Sequence, residues 1–303
     1  MKNYTKPALT FEQQVEQLET RGLIISDRLN AIKTLTFISY YRLSGYCYPF
    51  RKYDENKKIT DDLIAGTTWD EIITIYEFDR CLRLLILDAI ERVEVTIRTQ
   101  LTYHLAHKYG PLSHVNSSIF HKKFDHTNWL TKVKQETERS SDEFIKHYKR
   151  EYNGFPKIPI WMLTEIQSLG SLSILYQGLI PEDKRAISTY FNLHPKRLES
   201  WLHTLTYVRN VCAHHSRLWN RELAIRPDEA KEAEWKPPIT PRNDRIFYVL
   251  LMLRHLLSAT SNDQYWVTQV NLLISPLAEH RKWRAAMGIP ETWKQHPIWA
   301  QQI

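Results

Sequence analysis

Arg209, Asn210 and His214 fall within six residues, in the stretch Tyr207-Val208-Arg209-Asn210-Val211-Cys212-Ala213-His214. Their types match the needs of RNA cleavage by attack of a 2′-hydroxyl on the adjacent phosphate. A base must take the hydroxyl proton, an acid must protonate the departing 5′-oxygen, and a cation must steady the charge that builds on phosphorus. Histidine titrates near neutrality and serves either proton-transfer role. Arginine stays charged and grips two phosphate oxygens at once, while asparagine orients an imidazole or a phosphate. Side chains alone can fill all three roles, so the motif calls for no metal and no cofactor. The same three residue types also arise together by chance, and an arginine near a core commonly belongs to a structural ion pair.

These residues need a helix to position them. The spacing predicts one over Pro195–His215, with Leu198, Trp201, Leu202, Leu205, Val208 and Cys212 on its apolar face. With each residue advancing roughly 100°, Arg209 falls on the flank of that face. Asn210 and His214, four apart, face outward together and are close enough to touch. One such face offers a single histidine of the motif, so an acid–base pair needs a second His214 from a paired subunit.

Helical periodicity runs through the rest of the chain. Helix starts are expected at Thr10 and at Ser26-Asp27. From Trp69 to about Leu105, Phe78, Leu82, Leu85, Ala89, Val93, Ile97, Leu101 and Leu105 recur at steps of three or four. Glu91, Glu94 and Arg98 form a polar ridge opposite that stripe. They either reach the Arg209 helix and hold its arginine through a carboxylate, or form an ordinary surface pair. Further helices are expected at Asn128–Tyr148, Ile160–Tyr176, Glu182–Phe191, Asp244–Ser258 and Asp263–Ala278. Residues 54–68 read as a polar linker, 226–243 as a proline-bearing loop, and no segment has a strand period. The expectation is an all-α protein: a small basic, aromatic-rich helical region over 1–60, then a helical domain over 69–303 that includes C-terminal helices and a tryptophan-rich tail.

Composition narrows the partners. The chain has 303 residues, a net charge of +7, 10 Trp and only 8 Gly. That balance suits an anionic partner and argues against a glycine-rich nucleotide-binding fold. Between Arg28 and Lys58 seven Lys/Arg face two Asp/Glu, and six Tyr/Phe lie between Tyr40 and Tyr53. Tyr41 and Arg42 belong to this run. Either its charges meet phosphates while its rings stack on bases, or an aromatic core lies under a solvated basic face. Cys47, Cys81 and Cys212 are far apart and form no CxxC pair, and Met1–Phe11 lacks the apolar core of a signal peptide. A reduced, cytoplasmic protein with no membrane span is expected. His104 and His107 have no ligand partner at zinc-site spacing, so no metal site is expected.

Arg209-Asn210-Val211-Cys212-Ala213-His214 resembles the R-x4-6-H motif of HEPN ribonucleases. Its extension Ala213-His214-His215-Ser216-Arg217-Leu218-Trp219-Asn220 resembles the Abi (AbiD/AbiF-like) family of abortive-infection proteins. Further blocks of that likeness are Tyr40-Tyr41-Arg42-Leu43-Ser44-Gly45-Tyr46, Ala89 to Arg98, and Pro159-Ile160-Trp161-Met162. The resemblance implies an all-helical HEPN-type bundle, phage defence, and metal-independent RNA cleavage from a site composed across a homodimer. It makes Arg209 and His214 the catalytic pair and Asn210 the supporting polar residue. His215, Arg217 and Asn220 either contact RNA or close the helix end. The implied partners are a target RNA, a regulatory structured RNA, and an antitoxin that keeps the activity silent. Two other readings stay open: a non-catalytic HEPN protein that holds a structured RNA, and a module that uses the helices only for dimerisation.

Overall fold

The computed structural model describes residues 3, 5, 7–260 and 263–300. Parts of the Met1–Phe11 stretch (residues 1, 2, 4 and 6) and residues 301–303 of the tryptophan-rich tail therefore lie outside the described residues. The chain is 63% helical, with thirteen helices and one small sheet among the described residues. It divides into two compact units, Met1–Leu82 and Arg83–Ile303. The boundary falls inside a single helix, α4, which runs without interruption over Trp69–Tyr109.

In the first unit, α1 (Phe11–Thr20) begins at the expected Thr10, which forms a capping box with Gln13. The helix α2 (Arg28–Leu35) is capped by Asp27, and α3 (Tyr40–Cys47) by Ser39. One correction concerns the expected linker. Strands β1 (Arg51–Tyr53) and β2 (Ile59–Leu63) pair antiparallel, so residues 54–68 are not a plain linker. The turn makes the hairpin: Asp54 Oδ1 accepts from the Asn56 and Lys58 amides at 2.9 and 2.8 Å, and Lys57 takes φ +58°. Strands this short and mostly exposed carry too few apolar residues to show an alternation in the sequence. The aromatic run is divided between core and surface. Tyr46 and Phe50 are core, with Tyr46 donating to buried Asp79 at 2.7 Å, whereas Tyr41 is 88% exposed.

In the second unit the helices are α5 (His126–Arg139), α6 (Glu143–Glu151), α7 (Ile160–Ile166), α8 (Leu169–Gly178), α9 (Pro181–Tyr190), α10 (Pro195–Ala213), α11 (Ile246–Leu257), α12 (Asp263–Ala278) and α13 (Arg281–Met287). Two long helices of the sequence reading are each split. Asn128–Tyr148 breaks at Ser140–Asp142, where the Ser140 hydroxyl donates to Asp142 Oδ2 and accepts from the Asp142 amide. Ile160–Tyr176 breaks at Gln167, whose ψ of 137° is extended, and Ser168 caps the next helix. Periodicity continues across both breaks because each new helix resumes with its apolar side inward. The helix α11 is buried on nearly every side and forms the centre of this unit. Trp201 of α10 packs beside it, tilted against Trp235 and edge-on to His255, with ring centroids 5.0 and 5.5 Å away. The expected stripe of α4 is buried apart from half-exposed Leu85, and Leu85 O accepts from Trp266 Nε1 at 2.8 Å. No helix among the described residues is long and apolar enough to cross a membrane.

Three histidines of this unit give the fold an acid limit. Burial holds His114 down to about 4, aided by the charge of His126, and burial likewise lowers His255 and His296. Each unfolded imidazole takes its proton near pH 6.5 while the folded one resists, so stability is lost as pH falls from about 6.5 toward 4. For His114 alone the loss reaches about 3 kcal/mol. Thermal unfolding followed from pH 7 to 4.5 should show a falling midpoint that His114→Gln flattens; a midpoint independent of pH in that window would contradict the assignment.

Candidate active site

Helix α10 starts with Pro195 in its first turn and the His194 side chain as cap. Leu198, Trp201, Leu202, Leu205, Val208 and Cys212 are all buried, as their spacing requires. Trp201 of that face packs against His255 of α11, and α8 and α9 are the other main neighbours of the helix. Its opposite edge must then face outward, and Arg209, Asn210 and His214 are all exposed. Arg209, on the flank of the apolar face, has an exposed side chain. It swings over its neighbour, and its Nη1 donates to Asn210 Oδ1 at 3.4 Å. The arginine is thus paired with Asn210 and not with a buried carboxylate.

The helix stops one residue before the expected histidines. His214 is the C-cap residue, its amide bonding Asn210 O at 3.0 Å, and His215 takes φ +54°. The amides of His215 and Ser216 reach back to the carbonyls of Cys212 and Val211 at 2.9 Å each, the reciprocal pair that closes a helix through a left-handed residue. Leu218 and Trp219, both buried, then pin the chain after the turn. His214 is consequently held by backbone bonds at a fixed corner, while its imidazole has no hydrogen-bond partner among the described residues. Glycine is the usual choice at a position like that of His215, and an imidazole there costs on the order of 1 kcal/mol. His215→Gly should raise stability by up to about 1 kcal/mol, read by thermal unfolding. A destabilised variant would show that contacts of the imidazole outweigh the strain.

Arg217 and Asn220 lie in the turn that follows. Arg217 O accepts from Arg221 Nε at 2.6 Å, and Asn220, also left-handed at φ +52°, accepts from Arg245 Nη1 at 3.3 Å. Asn220 thus serves at least to close and anchor the chain after the helix.

Glu94 and Arg98 are more than a surface pair. They meet at 3.1 Å with side chains only 18% and 16% exposed. Arg98 also donates to Gln167 O at 3.2 Å and lies 3.7 Å from Glu165, so it clamps α4 to the break between α7 and α8. Burial raises the Glu94 carboxyl, against the opposing charges of Arg98 and then Arg209. The Arg209 charge therefore acts on Glu94 without a hydrogen bond between them. The sequence reading missed Gln167, which is 2% exposed with neither side-chain amide atom partnered. It lies at the break that the periodicity runs through, and no sequence signal marked it. Tyr41 and Arg42 belong to α3 of the first unit. His104 pairs with Asp183 at 2.8 Å and His107 with Tyr103 O at 3.1 Å, and no metal-holding cluster is found among the described residues.

The comparisons with known proteins complete the picture. The family model described as Abi-like protein matches residues 33–220, more than half of the chain, and the match includes all of α10 and the turn after it through Asn220. No curated protein and no solved structure matches. The chain belongs to the Abi-like protein family.

Proposed function

We infer that this protein is a HEPN-type endoribonuclease of abortive-infection phage defence or of a toxin–antitoxin pair, acting as a homodimer without a metal. The observation that carries the reading is an exposed His214, its imidazole without a hydrogen-bond partner among the described residues, fixed at the end of α10 one turn from exposed Arg209 and Asn210. In this mechanism the His214 imidazole takes the 2′-hydroxyl proton, which drives that oxygen onto phosphorus. The Arg209 guanidinium stabilises the equatorial oxygens as negative charge builds, and Asn210 orients the arginine it already contacts. His214 of the second subunit protonates the 5′-oxygen as the P–O bond breaks. The products are a 2′,3′-cyclic phosphate and a free 5′-hydroxyl.

The test is direct. Purified protein incubated with total RNA in EDTA should yield fragments ending in a cyclic phosphate, detected by their resistance to a ligase that needs a free 3′-hydroxyl. Absence of cleavage would overturn the reading, and intact RNA that co-purifies with the protein would favour a non-catalytic RNA-binding role instead.

A further inference from the structure

The outward edge of α10 does not end at the motif. Glu199, His203, Thr206, Asn210 and His214 recur at steps of three or four and form one continuous stripe. At about 1.5 Å per residue, His203 lies roughly 10 Å along the axis from Asn210 and roughly 16 Å from His214. The upstream part of this stripe lines a groove of about 1120 Å³ between α8, α9 and α10. That exceeds the ~300–1,000 Å³ of a pocket that encloses a drug-sized ligand. Gly170 of α8 and Thr206 of α10 both line it and lie close together, since a Cβ added at Gly170 would stand 3.2 Å from Thr206 Cγ2. Asn210 follows Thr206 by one turn, so the groove leads onto the Arg209–His214 corner along the same helix edge.

The walls are cationic. Lys184 is neutralised by Glu199 at 2.7 Å and Arg226 by Glu222 at 2.6 Å. Lys123, Arg185 and Lys196 are exposed and pair with no carboxylate among the described residues, against a single exposed acid in the groove, Asp228. Three spare cations along an open channel attract a linear polyanion, and the α10 edge that lines the channel continues toward His214.

We propose that the α8–α10 groove is the binding track for single-stranded RNA, with Lys123, Arg185 and Lys196 contacting its phosphates and delivering the strand to His214. The proposal rests on the ribonuclease reading for the direction of travel, whereas phosphate binding by the groove does not depend on cleavage.

The test uses a fluorescent 20-nucleotide RNA that is 2′-O-methylated and so cannot be cut, titrated against wild type and K123Q/R185Q/K196Q at several salt concentrations. Each phosphate contact with a single strand contributes about 0.7 to the slope of log Kd against log salt, so losing three lowers the slope by about 2. The same loss weakens binding by about 100-fold at ~0.1 M salt. All three side chains are exposed, and K196Q alone, with a slope change of about 0.7, serves should the triple variant fail to fold. Unchanged affinity and slope in the variant, alongside wild-type cleavage of ordinary RNA, would overturn the groove and leave the ribonuclease reading intact. The expected slope change with no cleavage of ordinary RNA by wild type would do the reverse. Wild type that binds no RNA, or releases it equally well to polyglutamate, would also overturn the groove.

Discussion

His214→Ala is expected to lower RNA cleavage by about 10³-fold while leaving the fold intact, and Arg209→Ala by about 10²–10³-fold. The physical reason is that neither side chain supports the core. Both are exposed, the imidazole has no hydrogen-bond partner among the described residues, and the arginine bonds only its neighbour Asn210 among them. The cap that fixes the histidine corner uses backbone groups, which alanine retains. Circular dichroism and unfolding midpoints close to wild type should therefore accompany the lost activity. Arg209→Lys should rescue little, because an ammonium cannot hold two phosphate oxygens in one plane. The losses should not add in the double variant, since groups that act on one transition state fail together. Mixtures of wild type and His214→Ala report on the dimer. If each site needs a histidine from both subunits, activity falls as the square of the wild-type fraction; a linear fall would place the complete site in one chain. Cleavage by His214→Ala equal to wild type would remove the mechanism altogether.

The second large effect lies away from the motif. Asp183→Asn should destabilise the second unit by about 3–5 kcal/mol and lower the unfolding midpoint by on the order of 10 °C. Asp183 is fully buried, and His104 Nε2, Lys108 Nζ and Tyr109 OH converge on its carboxylate at 2.8, 2.8 and 2.9 Å. Burial by itself would raise this carboxyl, but the hydrogen bonds from Lys108, His104 and Tyr109 bring it below its ordinary value. Its stabilisation is thus present above the unfolded carboxyl value and disappears as pH falls through the folded one. The cluster fastens the first turn of α9 to the end of α4, and α9 in turn packs on α10. Replacing one carboxylate oxygen by an amide leaves a donor facing donors, which is why an isosteric change costs so much. A midpoint within about 2 °C of wild type would show that water satisfies the three donors equally well.

How much of this was legible without a structure depended on the range of the signal. The α10 stripe from Leu198 to Cys212 and the α4 stripe from Phe78 to Leu105 were readable because burial of one helix face leaves a period of 3.6 in the residues themselves. The Thr10 and Asp27 caps were readable because they act within three residues. The β1–β2 hairpin was not, since its strands are short and mostly exposed. Nor were the breaks at Ser140–Asp142 and Gln167, because the apolar pattern resumes in phase on the far side.

For the motif itself, sequence determined that Asn210 and His214 face outward on one edge of α10, since six apolar residues claim the other face. Tertiary structure decided the rest. It set the Arg209 guanidinium against Asn210, ended the helix at Ala213, and held His214 at a corner through a left-handed His215. It also brought the groove of α8 and α9 alongside the same edge. A periodicity records which face is buried, but not which neighbour buries it or what lines the seam. Those depend on contacts between residues distant in the chain, and only the packed helices settle them.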